Sequence, residues 1–411
     1  MPELSRVLRR ILLSLLGLIL AGLLAAGWYA YNKGFTSKWR AFVVKEFRKR
    51  GVEVSLRRLT LEPFRGIVAK QVAIYDDRER RRTVAVIDEM LLVVNYANLF
   101  QGRAFIDALD LHDANLNLPL DPAHRNGANV EIRHLSGRLL LPPKQIHLSH
   151  LEADLYGIRL RASGSLINPQ AFSASIPAAA TARIISEAKA ITFDGPPPQL
   201  DVRFSGDLAG PGQLFVEATL WAEKLRRGTS RLESLYVEGS FRDGTLHVRQ
   251  LAAGDAEGSL RASGTYDPAT AEATIQLHST LDAQSLLRSF TRIALLDEIV
   301  LYHPPVLDLT ARFTFSDDPA FHILGHLHFG KFAYKSVIFD QLDADISRDN
   351  TRWAALDVRI SHRSGELTGE VLHLESEVQS RLASTIQRPI LTPLLTGSAA
   401  EWLPRIAFKG E

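Results

Sequence analysis

The 411 residues include no cysteine, which excludes disulfide frameworks, thiolate zinc or iron–sulfur sites and any cysteine nucleophile. An excess of one charge is also missing: 48 Lys and Arg face 46 Asp and Glu, for a formal net charge of +2. The balance hides an asymmetry, because residues 1–103 hold 19 basic and 9 acidic side chains while the remainder holds 29 and 37. No basic face runs through the chain, so a nucleic-acid partner is not expected. No GxGxxG, P-loop, HExxH or GxSxG spacing occurs. Nucleotide cofactors, zincin sites and hydrolase elbows therefore have no motif to stand on, and neither a cofactor nor an enzymatic activity is expected. Apolar residues are abundant at 46%, against 23% charged. That is enough for two or three cores and too apolar for disorder.

The single long apolar run lies at the amino end. Residues 11–31 read ILLSLLGLILAGLLAAGWYAY, preceded by Arg6, Arg9 and Arg10 and followed by Lys33. At about 1.5 Å per residue such a helix spans a bilayer core. Trp28, Tyr29 and Tyr31 occupy the place where small residues would mark signal cleavage. The reading preferred over a cleaved signal or a buried core helix is an uncleaved anchor at 11–31 behind a short tail at 1–10, its aromatics at headgroup level. Lys33, Lys38, Arg40, Lys45, Arg48, Lys49 and Arg50 outnumber the arginines before the run. Long domains translocate largely regardless of such counts, so charge alone leaves the topology open. Within residues 32–51, Ser37 can cap a helix over 38–50 that stops at Gly51. Trp39, Phe42, Val43 and Phe47 share one face, and Arg40, Lys45, Arg48 and Lys49 lie towards the other. The pattern fits a helix packed on the following sheet. It equally fits one at the membrane surface, with Trp39, Arg40, Arg48 and Lys49 joining Trp28, Tyr29 and Tyr31 as interface residues.

Beyond Gly51 the period becomes two, with turn residues every eight to twelve positions, the signature of a β-meander. Ala114, Leu116, Leu118 and Leu120 alternate with Asn115, Asn117 and Pro119, and Ile158, Leu160 and Ala162 alternate with Arg159, Arg161 and Ser163. Similar alternation runs through 214–222, 235–241, 260–266, 271–277, 307–315 and 321–329. Asp243-Gly244 and Asp267-Pro268 favour hairpins. Two stretches interrupt the pattern. Residues 177–199 join an alanine-rich, helix-favouring run to Gly195-Pro196-Pro197-Pro198, and Asp282 can cap a helix at about 282–298 with Leu286, Leu287, Phe290 and Ile293 as its stripe. These divide the β regions into 52–176 and 200–411. Segments 235–266 and 325–370 share a loose plan that hints at repetition.

Some 20 one-sided strands and only about three short helices leave more apolar sheet than the helices can cover. The expected fold is mainly β: a transmembrane helix followed by a long, curled antiparallel groove with a few short helices. Alternatives that bury the same surface are a sandwich or a closed barrel. Groove-lining candidates are Leu116, Leu118, Ile158, Leu160, Val216, Val237, Phe241, Leu260, Ile275, Leu277, Phe313 and Phe329.

The anchor, the helix ending at Arg50-Gly51 and the succession VEVSLRRLTLEPFRGIVAKQVAIYD then TVAVIDEMLLVVNYANLFQGRAFIDALDLHDANLNL resemble the amino-terminal region of AsmA-like proteins. These include the TamB and YhdP type and are similar in plan to the bridge-like, chorein-containing lipid-transfer proteins. The resemblance rests on a strand to Leu61, another from Gly66 to Ile74, a strand to Val94, the LFQG turn at 99–102 and a strand pair from Phe105 to Leu118. Later stretches such as LYVEGSFRDGTLHVRQLAAGDAEGSLRASGTYD resemble the same proteins' repeats. It implies a single-pass inner-membrane anchor with the bulk of the chain in the periplasm, a groove like a folded taco, and phospholipid conducted to the outer membrane in support of envelope homeostasis. Long members of the family extend well beyond 411 residues, so a short groove would need a partner, or the sequence is truncated. An envelope scaffold that binds outer-membrane or periplasmic β-proteins through its sheet edges is the alternative, and a periplasmic enzyme the least favoured reading.

Scattered polar groups invite sharper chemistry. His322, His326 and His328 share a strand face and could hold zinc or copper, although a solvated outer row accounts for them as well. Asp340, Asp343 and Asp345, and Asp317 with Asp318, could form carboxylate pairs but suit turns and edges better. Arg78, Arg80, Arg81 and Arg82 form a hairpin tip or a headgroup contact.

Overall fold

The computed structural model describes residues 34–49, 52–62, 66–75, 79–81, 83–95, 97–98, 101, 103, 105–119, 129–142, 144–168, 186, 190–228, 230–282, 298–315, 319–335, 337–374 and 377–391. Strands take 72% of them. The expected anchor at 11–31 lies outside these residues, as does nearly all of the expected helix at 282–298. Contacts divide the chain into two units, residues 1–188 with 202–209, and residues 189–201 with 210–411.

The first unit opens with helix α1 (Ser37–Lys49). Its sequence holds no Gly or Pro, and its first backbone bond runs from Arg40 N to the Thr36 carbonyl at 3.2 Å, which moves the cap one residue before Ser37. Seven strands follow: β1 (Glu53–Glu62), β2 (Gly66–Tyr75), β3 (Thr83–Val94), β4 (Ile106–Pro119), β5 (Asn129–Leu140), β6 (Gln145–Leu155) and β7 (Ile158–Ile167). Each pairs antiparallel with the next. Tyr156 and Gly157, at φ 52° and 84°, make the two-residue turn from β6 to β7, a geometry whose twist matches that of a strand ribbon. Across the first five strands Leu56, Val72, Ile87, Ala114 and Leu135 stand opposite one another in register. All five are buried, and each large member contributes about 1.5–3 kcal/mol. Val43 and Phe47 of α1 are buried in the same cluster, and the Phe42 ring stacks on Phe105 with centroids 5.2 Å apart. The helix thus lies over the apolar face of the sheet.

The sequence continues with β8 (Thr192–Phe193) and β9 (Gln199–Asp207). The described end of the 177–199 excursion is therefore a short strand, whose Phe193 pairs with Leu225. In the second unit the meander comprises β10 (Phe215–Arg227), β11 (Ser230–Arg242), β12 (Thr245–Gly254), β13 (Ser259–Asp267) and β14 (Glu272–Ser279). Then come β15 (Ile299–Leu301), β16 (Val306–Thr314), β17 (Ala320–Phe329), β18 (Phe332–Tyr334), β19 (Val337–Phe339) and β20 (Gln341–Asp349). The last elements are β21 (Arg352–His362), β22 (Gly365–Leu374), β23 (Glu377–Ser384) and helix α2 (Arg388–Leu391). Neighbours pair antiparallel from β10 to β23, except that β15, β18 and β19 leave the meander and form their own three-stranded sheet. Asp243 and Gly244, at φ 53° and 80°, make the expected hairpin between β11 and β12. Phe332, Val337 and Phe339 of the small sheet, with Ile386, Ile390 and Leu391, pack onto Phe329, Leu342, Ile360 and Leu367. This cluster covers one end of the unit's apolar face. Within the first unit β1 does not pair with β7, and within the second β10 does not pair with β23. Neither unit is a closed barrel.

Candidate functional site

In the first unit the sheet and α1 border an open-mouthed cavity of about 1030 Å³, at the upper end of the roughly 300–1,000 Å³ typical of small-molecule pockets. Its walls come from six strands and the helix, and include Phe47, Ile74, Met90, Leu111, Leu116 and Leu139. Strands as far apart in the meander as β1 and β6 reach the same space, so the sheet curls around it. Polar side chains gather at one end, where β3 passes into β4 and β5 into β6: Asn98, Asp107, Lys144 and Gln145. Such walls favour an apolar guest.

Of the first-unit candidates, Leu116 lines this cavity and Leu160 packs against its core. Ile158 stands opposite Leu155 and on the same face as Leu160. The Leu118 side chain lies outside the described residues. The second-unit candidates, Val216, Val237, Phe241, Leu260, Ile275, Leu277, Phe313 and Phe329, all fall on one face. Phe241, Leu246, Tyr266, Ala273, Phe313 and Phe321 form one register row across six strands. Val237, Leu251, Ala262, Leu277 and Leu309 form another. The face is only partly hidden, with Leu246 40% and Ile275 39% exposed. Phe329 differs, since its ring meets Phe332 edge-on at 6.1 Å and belongs to the covered end.

The opposite face of the second unit carries an ordered polar row. Arg261, His278, Asp308, His326 and Asp345 pair in register across five strands. Asp308 Oδ1 accepts from His278 Nδ1 at 2.5 Å, Asp345 Oδ1 from His326 Nδ1 at 2.8 Å, and Asp343 Oδ1 from His328 Nδ1 at 2.6 Å. His326 and His328 therefore each hydrogen-bond a different carboxylate, and His326 Nε2 also lies 3.9 Å from Asp343 Oδ1. Among the described residues no group of three or more His, Asp or Glu is placed to hold a metal ion. Burial pushes the Asp343 carboxyl up, but hydrogen bonds from His328 and Gln341, with the charges of His328 and His326, outweigh it and leave it below its ordinary value. Asp340 is exposed at the turn before β20, and Asp317 and Asp318 lie outside the described residues.

Of the expected interface residues, Trp28, Tyr29, Tyr31 and the Lys49 side chain lie outside the described residues. Trp39 is 47% exposed, within an aromatic chain that runs from Phe35 through Trp39 and Phe42 to Phe105. Arg40 donates to the Arg57 carbonyl at 2.8 Å. Arg48 and Arg80 converge on Glu53, only 7% exposed, with Arg48 at 2.8 and 2.9 Å and Arg80 at 2.9 Å. The hydrogen bonds from Arg48 and then Arg80 hold the Glu53 carboxyl at about 2, against an ordinary 4.5. Arg80 thus fastens a loop to the sheet, and Arg81 pairs with Glu79. Arg78 and Arg82 lie outside the described residues.

Among the described residues no helix is long and apolar enough to cross a membrane. No protein family, curated protein or solved structure matches the chain.

Proposed function

We propose that the protein is an inner-membrane-anchored, AsmA-like trough that binds phospholipid by its acyl chains and conducts it across the periplasm, without catalysis. The observation that carries this reading is the 1030 Å³ cavity of the first unit, apolar on its walls and polar at one end. The run at 11–31, which holds no Asp, Glu, Lys, Arg or His, supports an anchor beside it. The register rows of the second unit supply a longer apolar surface of the same kind. Each buried CH₂ is worth about 0.8 kcal/mol wherever it sits. Successive positions along similar walls are therefore close in energy, and a guest can move between them. Native mass spectrometry of the full chain released from its membrane in mild detergent tests the proposal. Phospholipid adducts are expected, and folded protein that is uniformly free of lipid overturns it.

A second reading rests on β23, which among the described residues pairs only with β22 and exposes Val378 at 61% and Leu382 at 50%. Such an edge can add a strand from a partner β-protein. Ser380→Pro, which removes a backbone donor from that strand, would abolish pull-down of a barrel protein under this reading and leave lipid adducts unchanged under the first.

A further inference from the structure

The polar end of the first-unit cavity is built with more care than an apolar pocket needs. The register of β3 on β4 shifts between Val93 and Val94, so that Ala108 and Ile106 face them and Asp107 is the extra residue. Such bulges re-aim a side chain, and Asp107 lines the cavity beside Ile106. Asn95 fixes the arrangement: its Nδ2 donates to Asp107 Oδ2 at 3.1 Å, and its Oδ1 accepts from Asn98 N at 3.2 Å. Asp107 Oδ1 accepts no hydrogen bond among the described residues. The Asp107 carbonyl accepts from Leu141 N at 2.8 Å, which brings the turn after β5 alongside. In that turn Gln145 N donates to the Pro142 carbonyl at 3.1 Å, and Lys144 stands in the left-handed region at φ 58°. A non-glycine residue held there is uncommon. Among the described residues Lys144 forms no ion pair. One cation and one carboxylate therefore share the mouth of an apolar cavity, flanked by two amides.

We infer that this rim seats a zwitterionic headgroup, a phosphate diester bearing an ammonium, with Lys144 facing the phosphate and Asp107 the ammonium. The inference rests on the lipid-binding reading and adds a headgroup preference to it. A purely anionic headgroup satisfies Lys144 but meets the Asp107 carboxylate. An uncharged diacylglycerol leaves both rim charges unanswered.

The test uses the full chain in mild detergent and a fluorescent acyl probe, displaced by lipids of identical chains: phosphatidylethanolamine, phosphatidylglycerol and diacylglycerol. Phosphatidylethanolamine is expected to compete best. Lys144→Gly suits the left-handed turn and removes the ammonium, so both phospholipids should weaken by about fivefold, the worth of an exposed charge contact of about 1 kcal/mol, while diacylglycerol is unchanged. Asp107→Asn should weaken phosphatidylethanolamine and strengthen phosphatidylglycerol. Equal competition by all three lipids, or affinities unmoved by both substitutions, overturns the headgroup inference while leaving lipid binding standing. Folded protein that does not bind the probe at all overturns the lipid reading instead. Free phosphoethanolamine should not displace the probe, and displacement by it at concentrations similar to the lipid would assign the rim to a soluble zwitterion.

Discussion

If hydrocarbon occupies the first-unit cavity, affinity must rise with chain length until the space is full. Its walls carry Val54, Val72, Ile87, Leu109, Leu135 and similar side chains, with the polar groups confined to one end. A methylene buried among them gains about 0.8 kcal/mol, about fourfold in Kd. The mouth stays open to solvent, so about half that gain, or about twofold per carbon, is the lower bound for a guest lying along the walls. A homologous series of fatty acids, kept below their micelle concentrations and competing against a fluorescent probe, reads this slope directly. Leu111 stands opposite Met90 and Gly137 and lines the cavity, so Leu111→Trp places an indole inside it. The slope for short chains should survive in that variant, and the plateau should arrive several carbons earlier. A flat series in the wild type, or a plateau indifferent to Leu111→Trp in protein shown to be folded, would refute the reasoning.

Further expectations follow from single contacts. The Glu53 carboxyl is held at about 2 in the fold against 4.5 ordinarily. Its stabilisation is therefore complete above about 4.5 and lost as pH falls towards 2. Protection of the α1 amides, taken relative to their intrinsic exchange rates, should fall through that window, and Glu53→Gln should flatten this pH dependence while lowering protection at neutral pH. A Cβ on Gly369, at φ 151°, would lie 2.0 Å from the Arg381 carbonyl oxygen, whereas one on Gly157, at φ 84°, meets nothing within 4 Å. Gly369→Ala should therefore loosen β23 far more than Gly157→Ala loosens its own hairpin, where only backbone strain of about 1 kcal/mol applies. Equal unfolding midpoints for the two variants would contradict this.

Alternation and turn chemistry made much of the sheet legible. Asp243-Gly244 has the φ values its residues favour, and candidates chosen by period two, from Val216 to Phe313, share a face because side chains in a strand repeat every second residue. What stayed hidden depended on departures from that period. The bulge at Asp107 shifts the phase by one residue, so a carboxylate amid Ile106, Ala108 and Leu109 reads as an ordinary outward position. The rim partners Asn98, Lys144 and Gln145 lie in or beside turns, where spacing carries no facing information. The pairing of His326 and His328 with Asp345 and Asp343 is not legible in the sequence, because β17 pairs with β20 across two intervening strands. Three-residue strands such as β18 and β19 carry too short a pattern to reveal that they leave the meander. The α1 pattern suited sheet and membrane alike. Only the burial of Val43 and Phe47 shows which face meets the sheet.

Photo-crosslinking in cells tests the central claim most directly. Benzophenone side chains at Leu116 and Leu139, whose side chains line the cavity, are compared with one at Thr310, on the polar row's face opposite Gln276 and Leu324. Phospholipid attached at the two leucines and absent from Thr310 is the result expected. Capture at neither leucine in folded protein, or equal capture at all three positions, would contradict a trough that holds acyl chains.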